Sequence, residues 1–160
     1  MNKRGERGFE PDMQRHHLLP LQLLRNHALG RMIETIGRER IGIDDFRRNG
    51  LLLPATEASA FRTAPPLHRG PHRAYNALVS QRAGQIEADF KRERRKSLDR
   101  AASHAIMRLA LLQSALRRRL LVSARNRLFL SRKDPFRSEL DFAELDAMAE
   151  QLWAATAPGD

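Results

Sequence analysis

The chain has 160 residues, with 29 Lys and Arg against 19 Asp and Glu, a formal net charge of +10, and no cysteine. This length suits one domain, or a small core with an appended helical arm, and leaves no room for two full domains. The positive excess points to a polyanionic partner, nucleic acid before a membrane surface, because the only Trp, Trp153, lies in an acidic segment; without cysteine, disulfides and thiolate zinc sites are excluded, so His, Asp, Glu or Asn must hold any ion.

The charged start, Met1 to Arg7, is followed by no apolar run of signal-peptide length, and nowhere do about eighteen apolar residues run together. The chain is therefore expected to be soluble and cytoplasmic, with residues 1–12 as a flexible N-terminus. The first half of the chain, residues 1–90, holds most of the Gly and Pro, so short elements and functional loops belong there. Leu18 to Ile36 carries Leu21, Leu24, Ala28, Met32 and Ile36 at helical spacing, with Pro20 suited to a first turn. Arg48-Asn49-Gly50 is a turn signal, and Leu51 to Leu53, bounded by Pro54, reads as a short buried strand. Pro71 then suits the start of a helix running through Tyr75, Leu78 and Val79.

Neither Gly nor Pro occurs from Gln85 to Asp134, which predicts a long helix or a pair of helices over 85–134. Leu98, Ala102, Ala105, Leu109, Leu112 and Leu116 fall on one apolar stripe of it. The charge is uneven: residues 91–133 carry 14 basic and 2 acidic side chains, residues 134–160 carry 1 and 7. A basic helical extension is thus followed by an acidic C-terminal helix over 135–160, with Leu145, Met148 and Leu152 on one side. Either that tail docks on the 98–116 stripe or the stripe forms a homodimer. Arg117-Arg118-Arg119 reads equally well as a nucleic-acid contact and as a solvated face. His27 and His104 have no partners at useful spacing and read as surface residues.

The informative feature is the grouping of histidines: His16-His17, then Asn49-Gly50, then His68-x-x-x-His72. Adjacent histidines on an extended segment point to opposite faces, so one can reach a metal while its neighbour does a different job. Two histidines four apart, across a turn entering a helix, can converge on one ion. Three imidazoles leave coordination positions open for water and phosphate, as a catalytic site needs.

His16-His17-Leu18-Leu19-Pro20, Asn49-Gly50-Leu51-Leu52-Leu53-Pro54 and Leu67-His68-Arg69-Gly70-Pro71-His72-Arg73-Ala74-Tyr75-Asn76 resemble the motifs of the AHH nucleases, of the HNH and endonuclease VII superfamily. The resemblance covers about residues 13–80, and Arg15 stands where the family name expects alanine. It implies a mainly α fold around a small β-hairpin, with a ββα-metal, HNH-like nuclease core over residues 13–84. It further implies that His16 is a metal ligand, completed by His68 and His72, and that His17 is the general base. Asn49 would brace the hairpin and hold His17 in orientation; Asn76 is the alternative ligand to His68. Arg15, Arg69 and Arg73 adjoin the motifs and are expected to hold the scissile or a flanking phosphate. Tyr75 is expected to pack against the hairpin before it stacks on a base. The implied cofactor is one divalent metal ion, Mg²⁺ or Zn²⁺, with Mn²⁺ or Ni²⁺ as further candidates. The implied substrate is DNA ahead of RNA. A bacterial toxin-type role, with an immunity protein as partner, follows from the resemblance alone, and a non-catalytic nucleic-acid-binding module is the rival reading.

Overall fold

The computed structural model describes residues 2, 5, 9–122 and 128–136. It is mostly helical around a two-stranded antiparallel sheet. Strand β1 spans Met13–His17 and β2 spans Gly50–Pro54, in a register that sets His16 opposite Leu51 and His17 opposite Gly50. β1 alternates, with His16 buried and its neighbours Arg15 and His17 half-buried. The apolar run of β2 is almost wholly buried, as expected of a strand covered on both faces.

The strands are not joined by a tight turn. The Asn-Gly signal instead marks the junction between a short helix and β2, because the connection between the strands is itself helical. After Pro20 comes a 3-10 turn, Leu21–Arg25, and then α1, His27–Ile36. The continuous helix expected from Leu18 breaks at Asn26, whose side-chain oxygen accepts the Ala28 and Leu29 backbone N–H groups at 3.1 Å and so starts a new helix there. The short helices α2, Arg38–Ile41, and α3, Phe46–Asn49, complete the connection. Asp45 caps α3 through the Arg47 N–H, and Arg117 donates to the Arg47 and Arg48 carbonyls at 3.2 Å. The arginine run is thereby divided: Arg117 is tied to α3, while Arg118 and Arg119 are exposed.

Beyond β2, α4 covers Glu57–Thr63, opened by a capping box of Thr56 and Ser59. Helix α5 spans Arg73–Glu93, and α6 spans Leu98–Leu121. Of the two options left open by the Gly- and Pro-free stretch, the pair is found, its break set by Ser97, whose hydroxyl accepts the Arg100 N–H. Helix α5 begins two residues later than Pro71 suggests, with His72 at the N-cap. It runs unbroken past residue 84, and Ala83 and Ile86 on either side of that point lie in the same buried cluster.

The 98–116 stripe is used within the chain. Ala102, Ala105, Leu109 and Leu116 are buried in one cluster with Val79, Ala83, Ile86 and Phe90 of α5, so most of the stripe packs within the chain, while Leu98 at its start is 49% exposed. Small residues on α6 let the two helices approach closely. The expected acidic helix lies outside the described residues, apart from Pro135 and Phe136. Residues 128–136 return to the core: Leu130 is buried, and Asp134, 4% exposed, accepts the Leu67 N–H at 2.6 Å and the Phe136 N–H at 3.0 Å. Among the described residues, no helix is long and apolar enough to cross a membrane.

Candidate active site

The site is built where β1, the loop leading into α5 and the first turn of α5 meet. The backbone N–H of His68 donates to the Pro54 carbonyl at 2.7 Å, which carries the loop alongside the end of β2 and brings His68 over β1. His72 follows at the N-cap of α5. The rings of His16, His68 and His72 then converge, with centroids 5.0 Å apart for His16 and His68, 5.7 Å for His16 and His72, and 4.4 Å for His68 and His72. One nitrogen from each lies within 4.8 Å of the other two.

Two of the rings have their tautomer set by a second contact. His72 Nδ1 lies 3.0 Å from the Leu130 carbonyl, and His68 Nδ1 lies 3.0 Å from Gln14 Oε1. A carbonyl oxygen only accepts, so both Nδ1 atoms carry the proton and each Nε2 keeps a free lone pair. The third ring, His16, is 4% exposed, and its Nε2 is buried with no hydrogen-bond partner. An orphaned polar atom in the interior is costly unless something outside the protein chemistry satisfies it. These residues fit a divalent ion: nitrogens on one zinc stand at most about 4.2 Å apart, so small ring rotations would let all three meet it.

Burial, then the flanking imidazoles of His68 and His72, lower the pKa of His16 to about 3. Burial and His72 lower that of His68 to about 4. Both rings are neutral at physiological pH, the state in which imidazole binds metal. Tyr75 closes the cluster from below: its ring meets His16 edge-on at 4.9 Å, and its hydroxyl donates to the Leu18 carbonyl at 2.7 Å. Burial pushes the phenol pKa well up, so it stays a donor.

The other face of β1 is different. Strand alternation turns Arg15 and His17 away from Gln14 and His16 and toward Phe46. The Arg15 guanidinium lies 4.2 Å over the Phe46 ring, and His17 meets the same ring edge-on at 6.0 Å. Arg15 Nε is buried and unpaired. Burial first and Arg15 second lower the pKa of His17, with Asp44 opposing them. Phe46 occupies space that only a glycine at position 50 leaves open, since a Cβ there would sit 2.1 Å from the ring. Gly50 is thus required by close approach and not by a turn conformation.

Asn49 is fully buried and uses its whole hydrogen-bonding capacity, though none of its side-chain bonds goes to His17. Its Oδ1 accepts the Leu19 N–H at 2.7 Å and Gln113 Nε2 at 3.3 Å, and its Nδ2 donates to the Leu19 carbonyl at 3.0 Å and the Ile43 carbonyl at 2.8 Å. It clamps the segment leaving β1, two residues past His17, and anchors it to α6. Asn76 is half-buried on the first turn of α5, its backbone N–H donating to the His72 carbonyl at 2.8 Å. Arg69 and Arg73 are exposed on either side of His72. His27 is exposed and apart from the cluster, and His104 pairs with Glu93 at 3.0 Å.

Sequence reasoning missed four contributors: Gln14 and the Leu130 carbonyl, which orient rings; Phe46, which packs both Arg15 and His17; and Gln113, which reaches Asn49. Strand alternation puts Gln14 on the same face of β1 as His16, at its exposed edge, so Gln14 could have been found from β1 itself. A backbone carbonyl carries no residue signature, and Leu130 could not. A protein-family model described as AHH, a nuclease family of the HNH/ENDO VII superfamily with conserved AHH, matches residues 1–116. Neither comparison with curated proteins nor comparison with solved structures gives a match.

Proposed function

The chain belongs to the AHH family of nucleases, within the HNH/ENDO VII superfamily, and from that premise we propose that it is a metal-dependent endonuclease hydrolysing phosphodiester bonds, in DNA ahead of RNA. The observation that carries the reading is the convergence of His16, His68 and His72 around a buried, unpartnered imidazole nitrogen. These three residues would hold one divalent ion, and an all-nitrogen donor set favours Zn²⁺ or Ni²⁺ over Mg²⁺ and Mn²⁺ by affinity. When bound, such an ion supplies positive charge to the phosphoryl and departing oxygens of a phosphodiester.

The remaining chemistry falls to the protein's own side chains. His17, on the opposite face of β1 from the ligands, is the general base that takes the proton from an attacking water. Its pKa lies below that of free imidazole because of burial and Arg15, so it is neutral and ready to accept at pH 7. Phe46 packs against the ring, and Arg15, held over the same Phe46, would meet the phosphate that His17 serves. Asn49 positions both by clamping Leu19.

The test is incubation of supercoiled plasmid with purified protein and added Mg²⁺, Mn²⁺, Zn²⁺ or Ni²⁺. Nicking abolished by EDTA and by His17→Ala is the expected result; tight binding without cleavage under every metal would assign the chain instead as a nucleic-acid-binding module. A toxin-type role adds one expectation, arrest of a naive bacterium expressing wild-type protein but not His17→Ala. Harmless expression of soluble, active enzyme would exclude that role and remove the need for an immunity partner.

A further inference from the structure

The segment 128–136 lies beyond the residues matched by the family model, yet it reaches the histidine cluster. Leu130 gives its carbonyl to His72, and the next residues form one wall of a cleft of ≈ 700 Å³. The facing wall is Arg69 to Tyr75, the loop end and first turn of α5. Arg69 and Arg73 project from one wall, Arg132 and Lys133 from the other, and all four are exposed. Among the described residues, no carboxylate lines this cleft. A second cleft of ≈ 620 Å³, beside α1 and the end of α5, also holds four cations, Arg25, Arg31, Lys91 and Arg94, but intersperses Glu34 and Glu87. Cations facing each other across a gap, with no acid between them and a candidate ligand histidine at its edge, make a site for a polyanion and not a solvated face. The amino end of the 21-residue α5, which no side chain caps, opens into the same cleft and adds its free N–H groups.

We propose that this cleft is the binding site for the sugar–phosphate backbone of a nucleic-acid strand next to the scissile bond, with Arg132 and Lys133 as its second wall. The proposal rests on the nuclease reading and extends it: a segment outside the family motifs completes the substrate channel. Asp134 and Leu130 pin the segment to the core, so the two cations are presented from a fixed support.

The probe is a fluorescent duplex oligonucleotide of about 20 base pairs, a length several times the few phosphates counted here, bound in EDTA by the full chain across a salt series. Replacing two phosphate-contacting cations lowers the slope of log K against log salt by about 1.8. Arg132→Ala/Lys133→Ala is expected to show that drop. A charge-matched control, Arg94→Ala/Arg95→Ala, at the other end of α5, about 30 Å away, is expected to show a clearly smaller one. Arg132→Gln/Lys133→Gln repeats the measurement with stem packing retained. An equal or smaller change than the control, or no binding by the wild type, overturns the proposal. Cleavage is read separately with metal. Binding that follows expectation without any cleavage overturns the nuclease reading alone, and cleavage with an unchanged slope overturns the cleft alone.

Discussion

The sheet-and-loop region and the α5–α6 pair are buried in opposite ways. Between the helices the interior is apolar and small, with Val79, Ala83, Ala102, Ala105 and Leu109 in one cluster, and ion pairs such as Asp89 with Arg108 lie at the rim. Around β1 the interior is polar: His16 and Asn49 are buried, and two ring or guanidinium nitrogens have no partner. The seam between the helices is built for packing, whereas β1 carries buried polar groups left without a partner. That contrast separates scaffold from site, and substitutions in the two regions should separate activity from stability.

The largest effect is expected at His17. His17→Ala should lower phosphodiester cleavage by about 10²- to 10⁴-fold, as loss of a general base does, while thermal unfolding shifts by less than about 1 kcal/mol; parallel plasmid-nicking and calorimetric assays check both. On the helical side, Leu109→Ala empties a buried position and should cost about 3 kcal/mol of stability by urea unfolding, with metal affinity unchanged. Asn49→Ala joins the two regions, since it frees the buried backbone groups of Leu19 and Ile43 together with Gln113. It should destabilise by about 2–3 kcal/mol and weaken activity in the surviving folded fraction. The smallest effect is expected at the rim: the Arg108–Asp89 pair has side chains 39% and 34% exposed, so Arg108→Ala should move the urea midpoint least of these variants, and by less still with added salt.

The same contrast explains what could be read from the chain. Local features were legible: the buried run Leu51 to Leu53, the alternation that separates His16 from His17, and the helix opening near Pro71 follow from short-range signals, while the division of the Gly- and Pro-free stretch was left open between one helix and two. The convergence of His16 with His68 and His72 was legible through family resemblance, because nothing in spacing alone joins residues more than fifty positions apart. What escaped depended on contacts without a local signature. Asn26 ended one helical turn and began another because its side chain found N–H groups. The Asn-Gly pair looked like a turn, but Gly50 is there to admit the Phe46 ring, and Asn49 reaches Leu19 and not His17. The apolar stripe on α6 was clear, but spacing did not show that most of it packs on the preceding helix. Residues 128–136 gave no sign that they would orient His72.

The central claim is that His16, His68 and His72 form one ion site, and titration of metal-free protein with Zn²⁺ and with Ni²⁺ by calorimetry tests it most directly. One ion should bind per chain, raising stability by about 2.7 kcal/mol when free metal is a hundredfold above Kd. Each of His16→Ala, His68→Ala and His72→Ala should remove that binding, and His27→Ala should leave it intact. Tight binding that survives loss of any of the three, or a wild type that binds no ion under any of these conditions, would contradict the account.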